Sequence, residues 1–139
     1  MDDPLAHRAL DGLLRAEAAV RRRLSADLER EGLSAAGFSF LVVLVTADGE
    51  LELRTLRRRL HTSKANATEV VDTLERRGLV ERSRLERDRR AAIVRLTGQG
   101  AELVDRLFPE HASRVASAFS PLDDEEKRTL AELCRKLAA

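Results

Sequence analysis

Residues 62–96 read TSKANATEVVDTLERRGLVERSRLERDRRAAIVRL, and this stretch decides how the rest of the chain is organised. Ala67, Val70, Val71 and Leu74 fall at i, i+3, i+4 and i+7, the spacing of one buried helix face. The hydroxyls of Thr62 and Ser63 stand where a helix N-cap is wanted. Arg76-Arg77 complement the dipole at the other end, and Gly78 stops the helix. Beyond it, 79–84 and 92–96 read as short strands joined by an arginine-rich tip over 85–91.

Just upstream, Leu53, Leu56 and Leu60 mark the inner side of a short helix over 53–60. At 100° per residue Arg54, Thr55, Arg58 and Arg59 fall on its other side. His61-Thr62-Ser63 is the turn between the two helices, and 50–52 has the pattern of a short strand able to join the hairpin. Earlier still, Ser34 caps a helix reaching about Ala47, and Asp48-Gly49 ends it. Phe38, Phe40, Leu41, Val42, Leu44 and Val45 make that helix apolar nearly all round, which places it centrally.

Long helices flank this middle. Asp3-Pro4 opens the first, which runs to about Glu31 before Gly32 and carries Leu10, Leu13, Leu14, Val20, Leu24 and Leu28. A helix of that length needs more apolar cover than a small lobe offers, and a second copy of the chain is the simplest source. Thr97 caps another helix over 98–119, which Pro109 is expected to interrupt and kink. After Ser120-Pro121, Asp123 and Glu126 have the spacing of a capping box for a last helix carrying Leu130, Leu133 and Leu137.

Charge is distributed unevenly. The 139 residues carry a formal net charge of only +1. From Arg54 to Arg95, however, thirteen cations stand against six carboxylates, net +7, which leaves −6 for the rest. A basic centre between acidic ends suits a polyanion on one surface. With 3% aromatic residues and no Trp or Tyr, the core must be built from Leu, Val and Ala, which suits packed helices. The single cysteine, Cys134, excludes an intramolecular disulfide. The longest apolar run, 40–45, is far short of a membrane span, so a soluble, cytoplasmic protein with no membrane partner is expected. No Gly-rich phosphate loop, metal-ligand spacing or nucleophile–base arrangement points to an enzyme.

The expected fold is mainly α with a small β-hairpin: a winged helix-turn-helix with long N- and C-terminal helices. In such a unit one helix enters the DNA major groove and the hairpin tip reaches the flanking backbone or minor groove. Leu56 and Leu60, then Leu74-Glu75-x-x-Gly78-Leu79-Val80-x-Arg82, Asp88-Arg89-Arg90 and Leu96-Thr97-x-x-Gly100, resemble the MarR family of bacterial transcriptional regulators. The resemblance extends over nearly the whole chain and is strongest in its middle third. It implies a homodimer whose first, fifth and sixth helices interlock, with 1–33 and 98–139 as dimerisation helices and 34–97 as the DNA-binding lobe. Each lobe would read half of an inverted repeat in double-stranded DNA. The function implied is transcriptional repression, with release by a small effector.

Site residues follow from this layout. Arg54, Arg58 and Arg59 are placed for phosphates, as are Thr62, Ser63 and Lys64 at the start of the recognition helix. In the wing, Arg84, Arg87, Arg89 and Arg90 form a basic tip, and the resemblance sends Arg90 into the minor groove. Asp88 is expected to fix an arginine rotamer by a bidentate pair. The outer side of the recognition helix holds Ala65, Glu69, Asp72, Thr73 and Arg76, with Asn66 and Thr68 at its edges. Relatives usually carry a basic residue where Glu69 and Thr73 stand. Either Glu69 accepts from cytosine N4 while Asn66 reads adenine, or the wing arginines dominate through shape and charge. Asp72 reads as a solvated or ion-paired residue.

Sensing is less legible. His7, His61 and His111 are too scattered to define a metal site, and no metal or cofactor is expected. Cys134 lies beside the Leu130-Leu133-Leu137 stripe and reads as a packed residue. Many members of the family bind small aromatic anions in a cleft between arm and lobe. By that resemblance Phe38, Leu41, Leu107 and His111 would line the site for a small aromatic or anionic effector. The rival function is a winged helix used for protein contacts, with weak or non-specific DNA binding, and Glu69 and Asp72 are its support.

Overall fold

The computed structural model describes residues 1–85 and 88–139, and side chains everywhere but 84–90. The elements are α1 (Pro4–Arg30), α2 (Ala35–Thr46), β1 (Glu50–Glu52), α3 (Leu53–Arg59), α4 (Lys64–Arg76), β2 (Val80–Leu85), β3 (Asp88–Leu96), α5 (Gly98–Ala118) and α6 (Asp124–Ala138). The three strands form one antiparallel sheet in the order β1-β3-β2. Val94 sits at its centre, opposite Leu51 on one side and Arg82 on the other.

Local chemistry sets most element ends. The Ser34 hydroxyl accepts from the Gly37 amide at 3.0 Å, and the Ser63 hydroxyl accepts from the Asn66 amide at 3.1 Å. Asp123 and Glu126 close a reciprocal capping box at the start of α6. Gly78, at φ 74°, lets the chain leave α4 left-handed while the Leu79 amide donates to the Leu74 carbonyl at 3.0 Å. Asp48 and His61 also take left-handed φ, at 60° and 50°, in the two tight turns on either side of α3.

The chain forms two compact units: Met1–Leu24 with Glu110–Ala139, and Ser25–Pro109. The sequence boundaries at 33/34 and 97/98 follow helix ends, whereas the compact units divide within α1 and α5. In the second unit α2 is the hub, with Phe38, Phe40, Leu41 and Leu44 all buried. Around them pack Leu56 of α3, Ala67, Val71 and Leu74 of α4, Leu79 and Val80 before the wing, and Val94 of β3. Each such large side chain contributes roughly 1.5–3 kcal/mol by leaving water. In the first unit the apolar stripes stay open: Leu10 is 52% exposed, Leu14 57%, Leu133 55% and Leu137 74%.

Two expectations change here. Strand β3 starts at Asp88, so the backbone of 88–90 belongs to the hairpin rather than to its tip, with a bulge between Arg84 and Leu85. Backbone pairing in a two-stranded ribbon needs no inward apolar residue, so the arginine run gave no strand signal. And α5 continues as helix through Pro109. Among the described residues, no helix is long and apolar enough to cross a membrane.

Candidate nucleic-acid interface

The expected cations of α3 stand outward. Arg54 and Arg58 are exposed, as is Lys64 at the first turn of α4. Arg54 lies 3.5 Å from Glu52, a loose and solvated pair worth at most about 1 kcal/mol. Ser63 spends its hydroxyl on the helix cap, and the half-buried Thr62 accepts from the Asn66 side-chain amide at 2.6 Å. That bond uses one Asn66 donor and holds the amide in place. Its carbonyl oxygen and second N–H remain, the pair of groups that reads adenine.

Further along α4, Thr68 and Thr73 donate to the carbonyls of Lys64 and Glu69 at 2.9 and 3.0 Å. Thr73 also accepts from Arg76 at 3.2 Å. Asn66, Glu69 and Thr73 border a shallow cleft shared with Ser34, Ala36 and Gly37. Glu69 is exposed within it.

Asp72 is not an open charge. It pairs with Arg82 of β2, whose backbone amide and guanidinium also donate to the carboxylate of Glu75, at 2.9 and 3.4 Å. Arg82 is 27% exposed. It shares its strand face with the buried Val80, so its side chain turns toward α4, and the two acids of that helix meet it there. The clamp fixes the wing base to the recognition helix and neutralises acids that composition alone assigned to the helix surface. The sequence signal was present: a cation two residues beyond a core valine needs a carboxylate partner.

A second clamp lies at the other end of the same unit. Arg106 of α5 forms a bidentate pair with Glu31, at 2.8 and 3.1 Å, and Arg77 donates to the Gly32 carbonyl at 3.0 Å. The Arg106 hydrogen bond is the chief reason the Glu31 carboxyl is held below its ordinary range. Its residues are 75 apart, and nothing local announces it.

The residues expected to line an effector site are divided between the two units. Phe38 and Leu41 are 1% and 0% exposed and Leu107 is 7% exposed; all three belong to the core cluster of the second unit. His111 belongs to the other unit, where burial holds its imidazole below its ordinary range. Arg84, Asp88, Arg89 and Arg90 have backbone in the hairpin, but their side chains, the whole of Arg87 and the expected Asp88–arginine pair lie outside the described residues. Cys134 is exposed rather than packed. Among the described residues no His, Cys, Asp or Glu group is arranged to hold a metal ion.

Residues 33–92 match the sequence model of the MarR family. The uncharacterised HTH-type transcriptional regulator YkoM of Bacillus subtilis is 36% identical over 110 residues, spanning 79% of this chain and 71% of the relative. The chain belongs to the MarR family. Its fold agrees. Sco3205 of Streptomyces coelicolor, a family member solved in complex with DNA, superposes with a TM-score of 0.88 at 24% identity, over 99% of this chain and 88% of its own. BpsR of Bordetella bronchiseptica, whose DNA binding is regulated by 6-hydroxynicotinic acid, gives a TM-score of 0.82 at 27% identity, over 91% and 89%. These relatives are regulators rather than enzymes, and the winged helix-turn-helix read from the sequence is the fold of the family.

Proposed function

We propose that this family member is a homodimeric, sequence-specific DNA-binding repressor on an inverted-repeat operator, released by a small effector. The observation that carries the reading is the charge arrangement around α4. Arg54, Arg58 and Lys64 are exposed at the start of the helix-turn-helix, while Asp72 and Glu75 are tied up by Arg82. A helix relieved of two carboxylates approaches phosphates at less cost. The exposed leucines of α1 and α6 support dimerisation, since stripes of this kind want cover. Two lobes related by a two-fold axis match a palindromic site, and a dimer seated on an operator occludes it. Binding to DNA and control by an aromatic acid in structurally similar proteins support the same roles here.

The test is a fluorescence-anisotropy titration of the protein against its own upstream DNA at several salt concentrations. Three lobe cations on each protomer predict a log–log salt slope of about −5, steeper with the wing, and nanomolar-range affinity at moderate salt. Weak, flat binding to every duplex would instead favour the protein-contact role, for which the exposed Glu69 remains the argument.

A further inference from the structure

A cavity of about 370 Å³ opens between the start of α3, the first turn of α4 and β3, remote in sequence from the residues expected to hold an effector. Among the described residues its apolar wall comes from Leu53, Ala67 and Ala92, and its charges are Arg54, Arg57 and Lys64 against one acid, Glu52. The volume lies within the range of small-molecule sites. Arg57 is the informative member. It is half-buried, and among the described residues no carboxylate lies within ion-pairing distance of it. A half-buried arginine bordering a cavity suits an anion that completes its hydrogen bonds. Lys64 stands at the first turn of a helix, where the free amides and dipole add to the positive field.

We propose that this cavity binds a small dianion with an apolar body, an aryl or alkyl phosphate monoester, and that the bound anion competes with the DNA backbone. Two features select the class. The described residues of the lining carry a formal charge of +2, which a doubly charged head group neutralises and a carboxylate does not. The apolar wall accepts a ring or short chain that inorganic phosphate lacks. Competition follows because Arg54 and Lys64 belong both to the cavity and to the proposed phosphate-contacting set, whereas Arg57 belongs to the cavity alone. An anion seated there withdraws two cations from the operator. The competition rests on the DNA-binding reading; the anion site does not.

Phenyl phosphate is the probe, titrated calorimetrically into the DNA-free full-length protein at constant ionic strength. Saturable binding is expected, at least tenfold weaker in Arg57→Gln and partly restored in Arg57→Lys, with benzoate at least tenfold weaker than phenyl phosphate on the wild type. Arg58→Gln removes the same charge from the next residue of α3, outside the cavity, and should leave the phenyl phosphate affinity within about twofold. In the second arm phenyl phosphate weakens operator binding by the wild type but not by Arg57→Gln, whose operator affinity without the anion stays near wild type. Absent binding to the wild type, equal losses in Arg57→Gln and Arg58→Gln, or equal affinity for benzoate would each overturn the site. A protein that binds no operator yet takes up phenyl phosphate with the expected variant pattern would remove the regulatory role and leave the site standing.

Discussion

Replacing Gly100 by Ala sets two physical effects against each other. Helix propensity favours Ala over Gly by about 0.5–1 kcal/mol. Packing opposes it. A Cβ at Gly100 would stand 2.2 Å from the Leu79 carbonyl oxygen and 2.8 Å from Leu96 Cδ1, where ordinary contact begins at 3.4 Å. The nearest obstacle is backbone, so it cannot swing aside, and the first turn of α5 must withdraw by about 1 Å. That turn is also stitched to the end of α4. The Thr97 hydroxyl donates to the Gly78 carbonyl at 2.7 Å, the Thr97 amide donates to Leu79 at 3.1 Å, and the Gly100 amide donates to the Thr97 hydroxyl at 3.0 Å. Overpacking costs about 1–3 kcal/mol, and each stretched hydrogen bond about 1 kcal/mol more. Packing therefore wins, with a net loss of roughly 2 kcal/mol. Gly98 is the control, because a Cβ there meets nothing within 4 Å. Urea unfolding followed by circular dichroism at fixed protein concentration should show the midpoint of Gly100→Ala lowered by about 1 M with unchanged slope. The midpoint of Gly98→Ala should be level or higher. If Gly100→Ala matched Gly98→Ala, the close approach of α5 to Leu79 would not exist in solution.

Other expectations are narrower. Arg82→Met should lower unfolding stability by about 1 kcal/mol and operator affinity by about tenfold, because it frees Asp72 and Glu75 beside the DNA; adding Asp72→Ala should recover part of the affinity, and an unaltered Arg82→Met affinity would disprove the clamp. Glu31 has its folded pKa below the ordinary 4.5, so its contribution is complete above that value and is lost as pH falls through the depressed one. Thermal unfolding of Glu31→Gln should thus lie below the wild type near neutral pH and converge with it in acid; a constant gap would contradict this. Leu133→Glu on the exposed stripe of α6 should shift the protein toward monomer in sedimentation, and an unchanged mass would mean this stripe is not the interface. Glu69→Gln separates its two roles in a binding-site selection: lost preference at one base pair marks a reader, tighter binding to every sequence marks a repelling bystander.

What could be read from sequence was what is local along the chain. The caps at Ser34, Ser63 and Asp123 join groups three residues apart, and the stop at Gly78 follows from one residue's freedom at positive φ. Periodicity likewise placed Val71 and Leu74 inside. The hidden features join groups far apart. Glu31 and Arg106 meet only after α5 has folded back beside the end of α1, and the Leu79–Gly100 approach depends on the same return of chain. Phe38 and Leu41 show another limit. An apolar side chain has the same pattern whether it faces protein or an empty cleft, and only the fold shows that both belong to the core cluster.

The recognition helix shows how composition misleads about charge. Counted along α4, Lys64 and Arg76 face three acids, Glu69, Asp72 and Glu75, and the helix looks hostile to DNA. Folding changes the count by bringing in a residue from another element: Arg82 of β2 takes up Asp72 and Glu75, leaving Glu69 as the acid without a cation partner among the described residues. The wing base therefore acts on the field along α4. The same arginine ties the start of β2 to α4, so one side chain serves both the attachment of the wing base and the charge of the helix. A substitution at Arg82 alters both together, which is why wing cations and helix acids are best treated as one electrostatic unit rather than as rival explanations of affinity.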